Sequence, residues 1–170
     1  MVQTTKSQGE QNAAANQRSY ELTLHQINLQ YKANVYKGVI QFMAKTHIWF
    51  TARLDSLSEQ LAEPTHPLLN LPRQLDDQEL DIFVALELHA SAKVLAANLI
   101  WDEEAKKCST LFDELTNRDV NRDFNQPSNP QEEVRIGLLN QIRSHLSELD
   151  NLEKAFLDTV KADVRLEPPE

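Results

Sequence analysis

The sequence predicts an all-α fold, an elongated antiparallel helical bundle. Only 3 of the 170 residues are glycine and 6% are aromatic, whereas sandwiches and barrels need many turns and strands rich in aromatic or β-branched residues. All 7 prolines fall into three groups, and apolar residues recur at steps of three and four between those groups. These stretches predict three long helices, or four helices if the first one breaks near Gly38.

The first predicted helix runs from roughly residue 7 to residue 62, because apolar residues follow the helical period along it. Before Tyr20 there is no apolar stripe, so we expect residues 1–17 to be a mobile polar tail that precedes a single bundle domain over residues 18–166. The main apolar row of this helix consists of Tyr20, Leu24, Ile27, Tyr31, Val35, Phe42 and Trp49.

The second and third predicted helices begin at recognisable N-terminal signals. Helix two begins in the acidic stretch 76–79 and ends near Asn117, and its apolar residues on two adjoining faces predict neighbours on both sides. Helix three begins near Pro130, which suits the first helical position, and ends near Leu166. Residues 167–170 are predicted to be a C-terminal tail.

Charge and cysteine content exclude several classes of partner and compartment. The formal net charge of -9 opposes binding to nucleic acid or anionic lipid, which require clustered lysine and arginine. Cys108 is the only cysteine, so neither an intramolecular disulfide nor a cysteine-rich zinc site can form within one chain. No stretch is apolar enough for a signal peptide or a membrane span. The sequence therefore predicts a cytoplasmic protein.

Motifs for known reaction centres are missing from the sequence. It contains neither a glycine-rich phosphate loop nor Gly-x-Ser-x-Gly, and the three predicted helices contain no Glu-x-x-His pair of the di-iron type. We therefore expect no cofactor and no metal, and we assign no catalytic residue. Arg18 and His25, seven residues apart, are similar in spacing to the pair of HEPN-type ribonucleases, which implies RNA cleavage as a remote alternative, but the acidic balance opposes contact with phosphate.

One polar cluster is predicted in the bundle interior. His47 and Glu87 interrupt otherwise apolar rows, and in an antiparallel hairpin they would lie within about one turn of each other, with His89 nearby. An imidazole and a carboxylate in a low-dielectric core could bind a metal or transfer protons, although a structural hydrogen-bonded pair is the simpler interpretation.

Two predicted connections are candidate contact surfaces. Alternating aspartate and asparagine after residue 118 is similar to a calcium loop, but Phe124 stands where the sharp turn requires glycine. The candidate interaction residues in the two connections are Arg118, Asp119, Arg122, Asp123, Phe124, Leu68 and Leu69.

The sequence therefore favours a non-catalytic protein-interaction module, such as an adaptor, assembly factor or regulatory subunit. We expect it to act through exposed helix faces and interhelical loops, to bind another protein, and to be able to form a homodimer or higher oligomer. The alternative is a helical sensor for a small ligand or metal, or a small enzyme, that uses His47, Glu87 and His89.

Overall fold

The computed structural model describes residues 2–59, 77–120 and 130–164. Within these ranges the chain forms four helices and no strand, which confirms the predicted all-α bundle, and none of the helices is both long and apolar enough to cross a membrane. The four helices are α1 (Val2–Glu59), α2 (Asp77–His89), α3 (Ala92–Val120) and α4 (Pro130–Val164).

The four helices arise from a break that the sequence did not predict. The first helix continues through Gly38, whereas the second predicted helix divides at Ala90 and Ser91. The last turn of α2 closes with a hydrogen bond of 2.9 Å from the Ala90 N–H to the Leu86 carbonyl. The Ser91 hydroxyl then accepts a bond of 3.4 Å from the Val94 N–H, so serine caps the start of α3. Serine also occurs inside helices, so Ser91 alone does not predict this break from the sequence.

Three predicted helix ends agree with the structure, and one of them is the start of α2 at Asp77, inside the predicted stretch 76–79. α4 begins at Pro130, and α3 ends three residues beyond the predicted Asn117. α1 already begins at Val2, so most of the predicted tail over residues 1–17 is helical, while its mobility stays a prediction. The predicted ends near residues 62 and 166 lie outside the described residues.

α4 runs antiparallel to the second half of α1. Lys32 lies 3.4 Å from Asp163 near one end of the pair, and Arg135 donates a hydrogen bond of 2.6 Å to the Leu57 carbonyl near the other. Leu57 is in the last turn of α1, which contains no basic residue of its own. A buried arginine from α4 therefore supplies positive charge to the carbonyl end of α1, where the helix dipole is negative.

α2 also runs antiparallel to α1 and packs very closely against it. Tyr31 of α1 contacts His89 at the end of α2, with ring centroids 4.7 Å apart, and Gly38 faces Ile82 one to two turns further along. A Cβ atom at Gly38 would lie only 2.9 Å from the Ile82 Cδ1 atom. Glycine therefore permits close helix approach here, because a larger residue would have to displace the Ile82 side chain, and it does not mark a helix break.

α3 runs parallel to α1, and aromatic rings fill the space between them. Phe42 contacts Phe83 of α2 at 4.8 Å and Trp101 of α3 at 6.0 Å, measured between ring centroids. Further along, Phe50 stacks on Phe112 at 5.5 Å. The core lies between α3, α4 and the second half of α1. Its completely buried apolar members are Val39, Val94, Cys108, Phe112, Leu115, Ile142, Leu149 and Phe156.

Tyr36, Ser91 and Asp163 form a polar junction at one end of the bundle. The Tyr36 hydroxyl donates a hydrogen bond of 2.5 Å to the Asp163 carboxylate, Lys32 also donates to it, and the Ser91 side chain helps to lower the pKa of Asp163. Burial and the bond to Asp163 raise the pKa of Tyr36 far above its ordinary value. Burial alone would raise the pKa of Asp163, but the hydrogen bonds outweigh it and the pKa is lowered. The junction joins α1, the break before α3, and the end of α4.

We expect Gly38→Leu to lower the free energy of unfolding by about 1–3 kcal/mol, because the added side chain forces α1 and α2 apart. The matched control is Gly137→Leu on α4, where a Cβ atom meets no other atom within 4 Å. Urea unfolding followed by circular dichroism measures both variants. Equal losses in the two variants would contradict close packing at Gly38.

We expect Tyr36→Phe to lower the free energy of unfolding by about 1.5–3 kcal/mol near neutral pH, because it removes a hydrogen bond to a buried carboxylate. A lowered folded-state pKa stabilises the protein above the ordinary aspartate pKa of about 3.9, and this stability is lost as the pH falls through the folded-state value. The raised pKa of Tyr36 stabilises the folded protein below the ordinary tyrosine pKa of about 10. This stability is lost as the pH rises from there through the folded-state pKa.

The difference between wild type and Tyr36→Phe should therefore shrink at both pH extremes in urea unfolding measured across pH. Tyr20→Phe, on an exposed tyrosine, is the control and should cost little at any pH. A pH-independent difference, or an equal loss in the control, would refute the junction's role.

Candidate interaction surface

The first half of α1 presents an uncovered row of large apolar side chains. No side chain of α1 is buried between residues 11 and 34. Four residues at steps of four, three and four nevertheless share one helix face, the spacing of a coiled-coil seam. These four residues, the α1 stripe, and their exposed fractions are Tyr20 65%, Leu24 42%, Ile27 57% and Tyr31 47%.

The α1 stripe continues the seam on which α2 packs. Tyr31 belongs to the stripe and also contacts His89, the last residue of α2. Further along α1, the same side of the helix meets α2 at Gly38 and Phe42. The stripe is therefore a helix-packing surface that α2 leaves uncovered, because α2 ends at His89 and the chain turns at Ala90.

A second exposed apolar row lies on α2. Leu80, Val84 and Leu88 are spaced four residues apart and are all exposed, while Leu86 on another face of α2 is buried. The two rows approach each other where Tyr31 meets His89. The second neighbour predicted for this segment is therefore missing from α2 within the described residues, whereas α3 contacts both α1 and α4.

The projecting half of α1, residues 2–31, is electrically balanced. It holds two basic and two acidic residues, so the whole net charge of -9 belongs to residues 32–170. Glu21 is the only formally charged residue between Ser19 and Tyr31. Arg18 is exposed and His25 is half-buried on this half. The stripe can therefore approach another helix face with little desolvation of charge.

The predicted buried cluster of His47, Glu87 and His89 is wrong. Glu87 and His89 are exposed, and the His47 ring nitrogen Nδ1 lies 3.1 Å from a carboxylate oxygen of Glu153 on α4 instead. His89 packs against Tyr31.

The register of the α1–α2 pair explains this difference. Lys45 of α1 lies beside Glu79 in the first turn of α2, with 3.6 Å between Nζ and Oε1. His47 is therefore level with the start of α2, whereas Glu87 is level with residues well before Gly38 on α1. The sequence pattern identified both interrupting residues but could not fix their register.

The other histidine with a carboxylate partner lies between α3 and α4. Nδ1 of His145 contacts Glu104, which also accepts a hydrogen bond of 3.0 Å from Lys107. Burial would raise the pKa of Glu104, but these two partners outweigh it and lower the pKa. In the described part of the chain, no group of three or more His, Cys, Asp or Glu side chains is placed to hold a metal ion. Burial raises the pKa of Cys108 to about 12, which suppresses its thiolate.

The candidate interaction residues in the connections can be placed only in part. Arg118 is exposed near the end of α3 and donates two hydrogen bonds, of 3.1 and 2.9 Å, to Glu114. Asp119 lies in the last turn of α3. The candidates that lie outside the described residues are Leu68, Leu69, Arg122, Asp123 and Phe124.

Arg53 is a buried cation that the sequence analysis did not single out. It is 1% exposed, and its guanidinium lies between the rings of Trp49 and Phe112, at 5.2 and 4.9 Å from their centroids. Nη2 donates a hydrogen bond of 3.1 Å to Thr116, but Nε and Nη1 have no hydrogen-bond partner within the described ranges. Burial lowers the pKa of Arg53, against the opposing charge of Asp113. Two ring faces therefore replace part of the lost hydration.

We expect Arg53→Met to keep the free energy of unfolding within about 1 kcal/mol of wild type or to raise it, because methionine fills the space without burying an unsatisfied donor. Arg53→Ala leaves a cavity and should cost about 2–4 kcal/mol. Urea unfolding distinguishes the two. A methionine variant that loses as much as the alanine variant would show that the cation itself stabilises the core.

No protein-family model, curated protein or solved structure matches this chain. A functional proposal must therefore rest on the exposed faces and the polar contacts. The α1 stripe residues were recognised in the sequence as an apolar row but were interpreted as part of the bundle seam. The missing information was the break at Ser91, which limits α2 to 13 residues and hence to about 20 Å along α1.

Proposed function

We propose that this protein is a non-catalytic interaction module, an adaptor, assembly factor or regulatory subunit, that binds a protein helix along the α1 stripe. The observation that carries the proposal is the uncovered row of four large apolar side chains on a helix that extends beyond its own bundle. A helical partner fits because the spacing of the row matches helix-on-helix packing. A cytoplasmic location belongs to the same proposal and is supported by the single thiol.

The energetics favour a partner on this surface. An isolated helix has little stability in water, and most helices in proteins depend on burying an apolar face. Burying one large apolar side chain contributes about 1.5–3 kcal/mol, whereas association costs about 4–15 kcal/mol in lost freedom. Four such residues give a modest affinity, and the exposed row on α2 offers further area beside them.

The alternative, a metal or ligand sensor or a small enzyme, finds no comparable support. It required His47, Glu87 and His89 to meet in the interior, and two of the three are exposed. His47 and His145 each pair with one carboxylate between helices, which is the geometry of a structural contact.

We expect the double variant Leu24→Lys, Ile27→Lys to lose at least tenfold in partner binding, because two ammonium groups would have to be desolvated in the contact. Immobilised full-length protein is exposed to an extract of the cells from which it comes, and retained proteins are quantified by mass spectrometry.

The matched control is Ile48→Lys, which places the same substitution at a 69% exposed position elsewhere on α1. Circular dichroism establishes that all variants keep the helical content of wild type. Proteins retained by wild type and by the control, but not by the double variant, would support the proposal. Identical retention by all three would overturn it.

A further inference from the structure

We infer that the α1 stripe docks on the same stripe of a second copy of this chain, with the two helices antiparallel about a two-fold axis. The inference rests on the proposed function and names its partner. A two-fold contact uses one surface twice, so the surface must be complementary to itself. Three features of the projecting half of α1 meet this requirement.

The order of side chains in the stripe is nearly palindromic. Read in either direction it presents an aromatic residue, two aliphatic residues and an aromatic residue. Antiparallel alignment therefore pairs Tyr20 with Tyr31 of the second copy, and Leu24 with Ile27 of the second copy. Large residues meet at both ends of the contact and branched aliphatic residues meet at its centre, where the axis passes.

The residues that flank the stripe avoid like charges across this contact. The stripe residues occupy the seam positions of a heptad pattern. Glu21 and Asn28 come directly after seam residues and flank the seam on one side. Thr23 and Gln30 come directly before seam residues and flank it on the other side. An antiparallel pair places Glu21 opposite Asn28 and Thr23 opposite Gln30. Each opposing pair can form a hydrogen bond, and no two carboxylates face each other.

The antiparallel orientation also separates the acidic bundles. Each bundle contains the entire net charge of its chain, and a parallel pair would place the two bundles side by side. In the antiparallel pair the bundles begin beyond Tyr31 at opposite ends, about 18 Å apart along the helix axis. This spacing exceeds the screening length of about 8 Å at physiological ionic strength, so their repulsion is weak.

The end of α2 sets where the second helix can lie. α2 covers the seam from Tyr31 onward, and the stripe is the part of the same seam that it leaves free. The second copy therefore occupies the seam directly beyond His89. Beyond Tyr31 the N-terminal residues of the second copy must diverge from α1, because α2 occupies the seam there.

The first test measures the mass of purified full-length protein, alone, by light scattering and native mass spectrometry over about two decades of concentration. The expected result is a reversible equilibrium between a 19.5 kDa monomer and a dimer of twice that mass. Leu24→Lys, Ile27→Lys should raise the dimer dissociation constant at least tenfold, and Ile48→Lys should leave it unchanged. A monomer at every concentration, or a dimer indifferent to the stripe variant, would overturn the inference.

The second test determines orientation by disulfide cross-linking and does not depend on a destabilising substitution. Tyr20→Cys and Tyr31→Cys proteins are oxidised separately and as an equal mixture. The native Cys108 is completely buried, so it does not compete. Rapid cross-linking only in the mixture supports the antiparallel pair. Rapid cross-linking of Tyr20→Cys with itself would indicate a parallel pair and overturn the inference.

The two proposals fail in different ways. If the purified protein is monomeric but the stripe variant loses partners from the extract, the second copy is refuted and the interaction function stands. If the purified protein is monomeric and the extract shows no dependence on the stripe, both are refuted.

Discussion

The bond from the Tyr36 hydroxyl to the Asp163 carboxylate fixes the arrangement on which the rest of the structure depends. Tyr36 lies in α1, Asp163 lies one residue before the end of α4, and the Ser91 side chain between α2 and α3 helps to stabilise the same carboxylate by lowering its pKa. A carboxylate near a helix C-terminus is opposed by the helix dipole, and burial adds a further cost. Donors from two other parts of the chain offset both costs, so the junction forms only when all parts are in place.

This junction also explains why α1 is left partly uncovered. The chain reverses at Ser91, close to Tyr36, and α2 therefore covers α1 only as far as Tyr31. α4 ends at the same level, at Val164. The apolar period of α1 continues past this level for another 11 residues, to Tyr20. A single constraint at the bundle end therefore produces both the closed core and the exposed stripe.

Two buried arginines at the same end of the bundle serve different purposes. Arg135 donates to the Leu57 carbonyl and compensates the dipole of α1, which is a specific and satisfied role. Arg53 instead lies between Trp49 and Phe112 with part of its donor set unpaired. Its position favours one register of α1 against α3, because other registers would bury the guanidinium without the Phe112 ring.

The sequence alone determined the fold class and three helix ends, namely the starts of α2 and α4 and the end of α3. Proline groups bounded the long helices, the apolar period identified the core faces, and Pro130 marked the start of α4, because these signals act within one or two turns of chain. The sequence also contained the α1 stripe as an apolar row. It could not show that the row lies outside the core, since a row of this spacing is equally suited to an internal or an external neighbour.

Only the tertiary structure decided the break at Ser91, the close approach at Gly38 and the register between α1 and α2. Each depends on contacts between residues far apart in the chain: Ser91 with Asp163, Gly38 with Ile82, and Lys45 with Glu79. The same register places His47 away from Glu87, so the predicted cluster does not form. Local patterns fix which face of a helix is apolar, but the sliding of one helix along another is set by packing across the interface.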